Sequence, residues 1–144
     1  MRNIVLVDTG FLIALFDVGD TLHDSAKMML KALEQRSGTW LKTVWPVIVE
    51  TCFFLGPKGK SAFLHWIERG AVVIRPIEIT DLAMIIATLN RYADQRIDFA
   101  DACLIWLAGQ EKTQRILTSD RRDFSIYRTP DGRAFEREWL GDES

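Results

Sequence analysis

The stretch Asn3-Ile4-Val5-Leu6-Val7-Asp8-Thr9-Gly10 carries the first decision about the fold. Its four consecutive apolar residues do not alternate with polar ones. Such a run predicts a strand buried on both faces, as in a parallel sheet covered by helices. The run stops at Asp8. A second short run, Ile116-Leu117-Thr118-Ser119, stops in the same way at Asp120. Strands of a parallel sheet finish at one edge, and ligands bind there. Asp8 and Asp120 are therefore predicted to face one crevice, although they lie near opposite ends of the chain.

Between these runs the sequence alternates helical and extended patterns. Thr9-Gly10 turns the chain into a short helix over Phe11 to Phe16, and a loop with Gly19 follows. Thr21 with Asp24 has the spacing of a capping box. It predicts a helix carrying Leu22, Ala26, Met29, Leu30 and Leu33 on one face and stopped by Gly38. Leu41 to Trp45 reads as a strand. Pro46 suits a first helical turn, but Val47 to Leu55 is so continuously apolar that helix and strand both remain open. Lys60 to Arg69 is an amphipathic helix closed by Gly70, and Ala71 to Ile74 a strand. Thr80 starts a helix with Leu82, Ile85, Ile86 and Leu89 expected to be buried. Asp98 opens a helix that is apolar nearly all round from Phe99 to Ala108, so it is placed deep in the fold. Ile126-Tyr127 is expected as a last edge strand. The alternation predicts an α/β fold with a mostly parallel sheet.

The chain has 144 residues, the size of one domain (1–144) able to bury its own core. Hydrophobic residues at 48 % and charged residues at 26 % exclude disorder and a disulfide scaffold. A net charge of -2 excludes a generally basic nucleic-acid coat, so any nucleic-acid site must be a local patch. Cys52 and Cys103 sit in apolar runs and read as buried free thiols. The apolar stretch from Ile4 to Phe16 is interrupted by Asp8 and lacks a cleavage signal. No uninterrupted run approaches the ~20 apolar residues that span a bilayer. A cytoplasmic protein with no membrane association is expected.

Further carboxylates accompany Asp8 and Asp120. Glu50 follows Pro46 by about one turn, and Asp98 and Asp101 share a helix face at a spacing of three. Acids gathered at one sheet edge repel one another and resist ionisation. A divalent cation relieves this, and hard oxygen ligands suit Mg²⁺ or Mn²⁺. Each acid also has a plainer role. Asp98 fits a helix N-cap and Asp101 the favourable first turn. Asp120 fits a turn leading into Arg121-Arg122-Asp123, and Glu50 an exposed helix position. Asp8 is the hardest to dismiss, because an acid abutting an apolar strand needs a partner. No glycine-rich phosphate loop and no nucleophile-elbow serine is present. His23 and His65 have charged neighbours and read as surface residues.

Four motifs, Val7-Asp8-Thr9, Val49-Glu50-Thr51, Asp98-Phe99-Ala100-Asp101-Ala102 and Thr118-Ser119-Asp120-Arg121-Arg122-Asp123-Phe124, occur in order along the chain. Together they resemble those of PIN-domain proteins, and more narrowly the toxin ribonucleases of VapBC-type toxin–antitoxin pairs. The resemblance implies a three-layer α/β/α sandwich and RNA phosphodiester hydrolysis. It implies that Asp8, Glu50, Asp101 and Asp120 hold one or two Mg²⁺ or Mn²⁺ ions, with Asp98 as a possible extra contact. It casts Thr9 and Thr118 as supports that orient the carboxylates. Gly10 stands where this family often has Ser or another small residue, so the resemblance carries no hydroxyl role to that position. A homodimer and a small antitoxin covering the acidic groove, often with an Arg, are implied as well.

From Lys112 to Arg133 six basic residues face three acids, a local charge of +3 beside Asp120. Arg121, Arg122 and Arg128 are candidate phosphate contacts for RNA, with Lys58 and Lys60 as a second set. Trp106 is expected in the core, and Trp66 either at an exposed interface position or in simple packing. Two other classes compete with the nuclease. One is a catalytically inactive PIN-like module that binds RNA or protein. The other is a signalling domain phosphorylated on Asp8, which wants a Lys after a late strand where this chain has Asp120.

Overall fold

The computed structural model describes residues 2–120 and 122–139. Arg121, one of the candidate phosphate contacts, lies outside the described residues. Five strands, β1 (Asn3–Val7), β2 (Thr39–Val44), β3 (Val73–Arg75), β4 (Arg115–Leu117) and β5 (Glu136–Trp139), form one sheet in the order β3-β2-β1-β4-β5. Every neighbouring pair is parallel. Helices α1 (Thr9–Phe16), α2 (His23–Glu34), α3 (Trp45–Phe54), α4 (Pro57–Glu68), α5 (Leu82–Arg91), α6 (Phe99–Glu111) and α7 (Asp123–Ile126) complete the three layers. The chain builds outward from β1 to β3, then crosses back to β4 on the other side of β1. The strand order therefore reverses between β1 and β4, which is where a parallel sheet opens a crevice at its carboxyl edge.

Burial explains the apolar runs. Val5, Leu6 and Val7 are fully buried, as are Ile116 and Leu117. In α6 every residue from Ala102 to Ala108 is buried, which accounts for a helix with no polar face. Trp106 is in the core, as expected, and Trp139 joins it with its ring edge-on to Phe11 at 4.9 Å. Cys103 is buried and Cys52 half-buried, both as free thiols. Among the described residues, no helix is long and apolar enough to cross a membrane.

The ambiguous run after Pro46 is helical. Val47, Ile48 and Thr51 are buried at helical spacing while Val49, Phe53 and Phe54 are exposed. Thr51 Oγ1 donates to the Val47 carbonyl one turn back at 2.7 Å. Four expectations are corrected. Helix α2 begins at His23 without a side-chain cap, because Asp20 Oδ1 takes the Leu22 N–H at 2.8 Å and closes the preceding turn in place of Thr21. That helix ends at Glu34, and Gly38, with φ 78°, serves instead in the turn into β2. Of the four residues expected to be buried in α5, only Ile85 is fully so, while Leu82 and Ile86 are exposed. Ile126-Tyr127 is no edge strand. Asp120 Oδ1 accepts the Asp123 N–H at 2.8 Å and starts the turn of α7. The edge strand is β5, Glu-Arg-Glu-Trp, whose charges suit an exposed edge.

Because α6 both fills the core and carries Asp101, its packing holds the site. Trp106→Ala is expected to cost about 3–5 kcal/mol in urea unfolding. A loss under about 1 kcal/mol would show that the helix is not anchored through this ring.

Candidate functional site

The β1–β4 register, Val7 against Leu117, brings Asp8 beside Thr118. The ladder runs one step further, with the Asp8 N–H donating to the Leu117 carbonyl at 3.0 Å. Thr118 Oγ1 donates to Asp8 Oδ2 at 2.8 Å and accepts the Asp120 N–H at 2.9 Å. One hydroxyl thus ties the two acids across the crevice. Asp8 Oδ1 accepts the Thr9 N–H at 2.7 Å, capping α1. Asp120 Oδ1 accepts the N–H groups of Arg122 and Asp123, which leaves Oδ2 outside that turn. Across from them, Asp98 Oδ1 accepts the Asp101 N–H at 2.8 Å and caps α6. The cap orients the first turn and sets Asp101 toward Asp120.

Carboxylate oxygens of Asp101, Asp120 and Asp123 lie within 4.8 Å of one another. Asp8 and Glu50 stand outside this closest group, yet their charges act on it. Burial raises the Asp101 carboxyl to about 9, aided by the charges of Asp8, Asp98, Asp120 and Glu50. Burial also raises Asp8, to about 6, against the opposing hydrogen bonds from Thr118 and Thr9. Asp123 is raised by burial and then by Asp120. The Tyr127 phenol is raised as well, by burial and then by Asp101.

The remaining candidates fall in different places. Glu50 is half-buried on α3 and lines a groove of ≈ 780 Å³ with Trp45, Phe53, Phe99 and the exposed Asp98. Asp98 serves as the N-cap. Thr9 Oγ1 is buried and has no hydrogen-bond partner among the described residues. Arg122 is exposed. The Arg128 Nη1 donates to the carbonyls of Ser125, Ile126 and Tyr127, so this cation closes the end of α7. Arg115 pairs with Glu138, and Arg133 with Asp131. Much of the basic segment is thereby spent within the protein. His23 bonds the Ala14 carbonyl and His65 pairs with Glu68, so neither ring serves the acids. Asp123 was not among the candidate ligands. Its signal was the spacing of three from Asp120, which lets one acid's backbone N–H bond the other's side chain.

Five carboxyl groups and one buried hydroxyl without a partner among the described residues fit a hard divalent cation. Two of these acids favour the protonated form while nothing neutralises them. The same shifts govern stability. Asp8 and Asp101 bind protons more tightly folded than unfolded, where the value is 3.8. Their contribution is fully present below that value. It is lost as pH rises, for Asp8 through about 6 and for Asp101 through about 9. The metal-free protein is expected to melt lower at pH 9 than at pH 5, and Asp101→Asn to remove most of the decline above pH 7. A scan of Tm against pH in the presence of chelator tests this. A variant that declines as steeply as the parent would contradict the assignment.

A family model described as PIN domain matches residues 5–130, a span that includes Asp8, Glu50, Asp98, Asp101, Asp120 and Asp123. Ribonuclease VapC26 of Mycobacterium tuberculosis is 29% identical over 136 residues, covering 91% of this chain and 97% of that protein. The crystal structure of Mycobacterium tuberculosis VapC20, described as a sarcin-ricin loop cleaving toxin, superposes with a TM-score of 0.67 at 20% identity. That match covers 79% of this chain and 87% of the other, and at such identity it speaks for the fold. The chain belongs to the PIN-domain family, and the relatives it resembles are of the VapC type.

Proposed function

We propose that this protein is a Mg²⁺- or Mn²⁺-dependent endoribonuclease and the toxin of a toxin–antitoxin pair. The observation that carries the reading is the meeting of Asp101, Asp120 and Asp123 within 4.8 Å, beside an Asp8 held in place by Thr118. Asp8, Glu50, Asp101 and Asp120 are assigned as the acids that serve the cation, and Asp123 joins them. Asp98 is assigned to capping, since its Oδ1 is already engaged by the Asp101 N–H. The likeness to a ribonuclease over nearly the full length of both chains supports the same activity here.

When bound, the cation supplies positive charge at the phosphate and acidifies a coordinated water. The chain's own residues prepare that chemistry. Thr118 and the Thr9 N–H fix both oxygens of Asp8, so its orientation is set before anything binds. Asp120 keeps one oxygen for its turn and presents the other. Asp101 gives up its proton as positive charge arrives. The reaction is hydrolysis, in which water adds at phosphorus, one P–O bond of the strand breaks and the leaving oxygen takes a proton.

The groove beside Glu50 has exposed Trp45, Val49, Phe53, Phe54 and Phe99 and, among the described residues, no basic side chain on its walls. Such a surface suits protein better than an RNA backbone. It supports the assignment of protein partners, a second copy of the chain and a small antitoxin, with RNA approaching the acids themselves. The cytoplasm is the compartment this reading assigns.

The test is cleavage of a mixed pool of single-stranded RNAs with Mn²⁺, with chelator and with Asp101→Asn. Cleavage that needs metal and falls about 100-fold or more in the variant is expected. Thr118→Val should keep the fold but weaken Mn²⁺ affinity about 10–100-fold, measured by calorimetry. Cleavage unaffected by both chelator and Asp101→Asn would overturn the reading.

A further inference from the structure

Gly10 lies in the first turn of α1, two residues beyond Asp8, and its backbone is not in the left-handed region. Glycine weakens a helix, so its presence here has another cause. The cause is visible across the crevice. A Cβ on residue 10 would overlap Ser119 Oγ and stand 3.6 Å from Ser119 Cβ. Residue 10 and the Ser119 hydroxyl compete for one space, and glycine leaves it to the serine.

Ser119 stands between two committed neighbours. Thr118 Oγ1 is shared by Asp8 and Asp120, and Asp120 Oδ1 is held by two backbone N–H groups. The half-buried Ser119 hydroxyl makes no hydrogen bond to another described residue. It is thus a free donor beside carboxylates that only accept. A phosphodiester is also an acceptor-only anion, and acids ionised by a bound cation would offer it no hydrogen. Three side-chain cations of the nearby basic segment are engaged elsewhere, Arg128 with three carbonyls, Arg115 with Glu138 and Arg133 with Asp131, while Arg122 is exposed.

We propose that Ser119 Oγ donates a hydrogen bond to a non-bridging phosphate oxygen of the RNA strand, and that Gly10 is glycine so that this hydroxyl can occupy its place over α1. The inference rests on the ribonuclease reading and names a substrate contact within it. Ser119 binds substrate, and Gly10 is a positioning residue that acts through Ser119.

The experiment is a double-mutant cycle read by fluorescence anisotropy of a labelled single-stranded RNA. It is run in the Asp101→Asn chain so that the probe is not cut. Ser119→Ala is expected to weaken RNA affinity about five- to tenfold, with Tm and Mn²⁺ affinity of the otherwise native chain unchanged. Gly10→Ala should weaken RNA affinity to a similar degree by turning the hydroxyl away, without lowering Tm. Combining the two should cost no more than either alone, because both remove one contact. Ser119→Ala with parental RNA affinity overturns the inference. So does a Gly10→Ala effect that persists undiminished in the Ser119→Ala background. If the parent neither binds nor cleaves RNA, the ribonuclease reading itself fails and this contact falls with it. If the parent binds and cleaves RNA, Ser119→Ala decides the contact alone.

Discussion

The parallel pairing of β1 with β4 is the constraint from which the rest of the site follows. Their register sets Asp8 against Thr118, and Thr118 bonds both Asp8 and Asp120. A slip of one residue would turn each strand's side chains to the opposite face. It would bury an acid among the leucines and carry Thr118 out of reach. The register is protected by complete burial of Leu6, Val7, Ile116 and Leu117, so the hydrophobic core and the acidic edge specify the same alignment. The crossing from β3 back to β4 then opens the sheet between these two strands, and α6 delivers Asp101 to the opening.

Gathering carboxylates in this way opposes stability. Burial and mutual charge raise both Asp8 and Asp101, so the folded chain holds protons that the unfolded chain would release. The fold tolerates this because every surrounding element is anchored elsewhere. α6 is buried along most of its length, and α1 packs Phe11 against Trp139 on the far side of the sheet. Thr9 Oγ1 has no hydrogen-bond partner among the described residues at the same edge. Acids raised in this way next to well-packed strands are groups that a positive charge would stabilise.

Much of this architecture was legible in the sequence, for a physical reason. The apolar runs of β1 and β4 give way to Asp8 and, three residues past Leu117, to Asp120, and so mark the carboxyl edge of the sheet. A helix without a polar face can only sit in the interior, which placed α6. What remained illegible depended on contacts the local sequence does not carry. The run after Pro46 is apolar as either helix or strand, and only the side that packs on the core decides it. β5 has one buried residue, Trp139, and no apolar run to announce it. Tyr127 reads as a strand residue but closes a turn begun by Asp120. Asp123 joins the acids through that same turn, so its place depended on the conformation of three residues. Arg128 reads as a free cation until its guanidinium is seen to hold the end of α7. Ser119 and Gly10, far apart in the chain, have meaning only as a pair.

On the proposed reading these acids form one site for a divalent cation. Calorimetric titration of Mn²⁺ into the chelator-treated protein at pH 7, in buffers of different ionisation enthalpy, tests it directly. Asp101, raised to about 9, is protonated there and must release its proton when the cation arrives. Tight binding with about one proton released per cation, and loss of that release in Asp101→Asn, are expected. Binding with no proton release, or no binding at all, would contradict it.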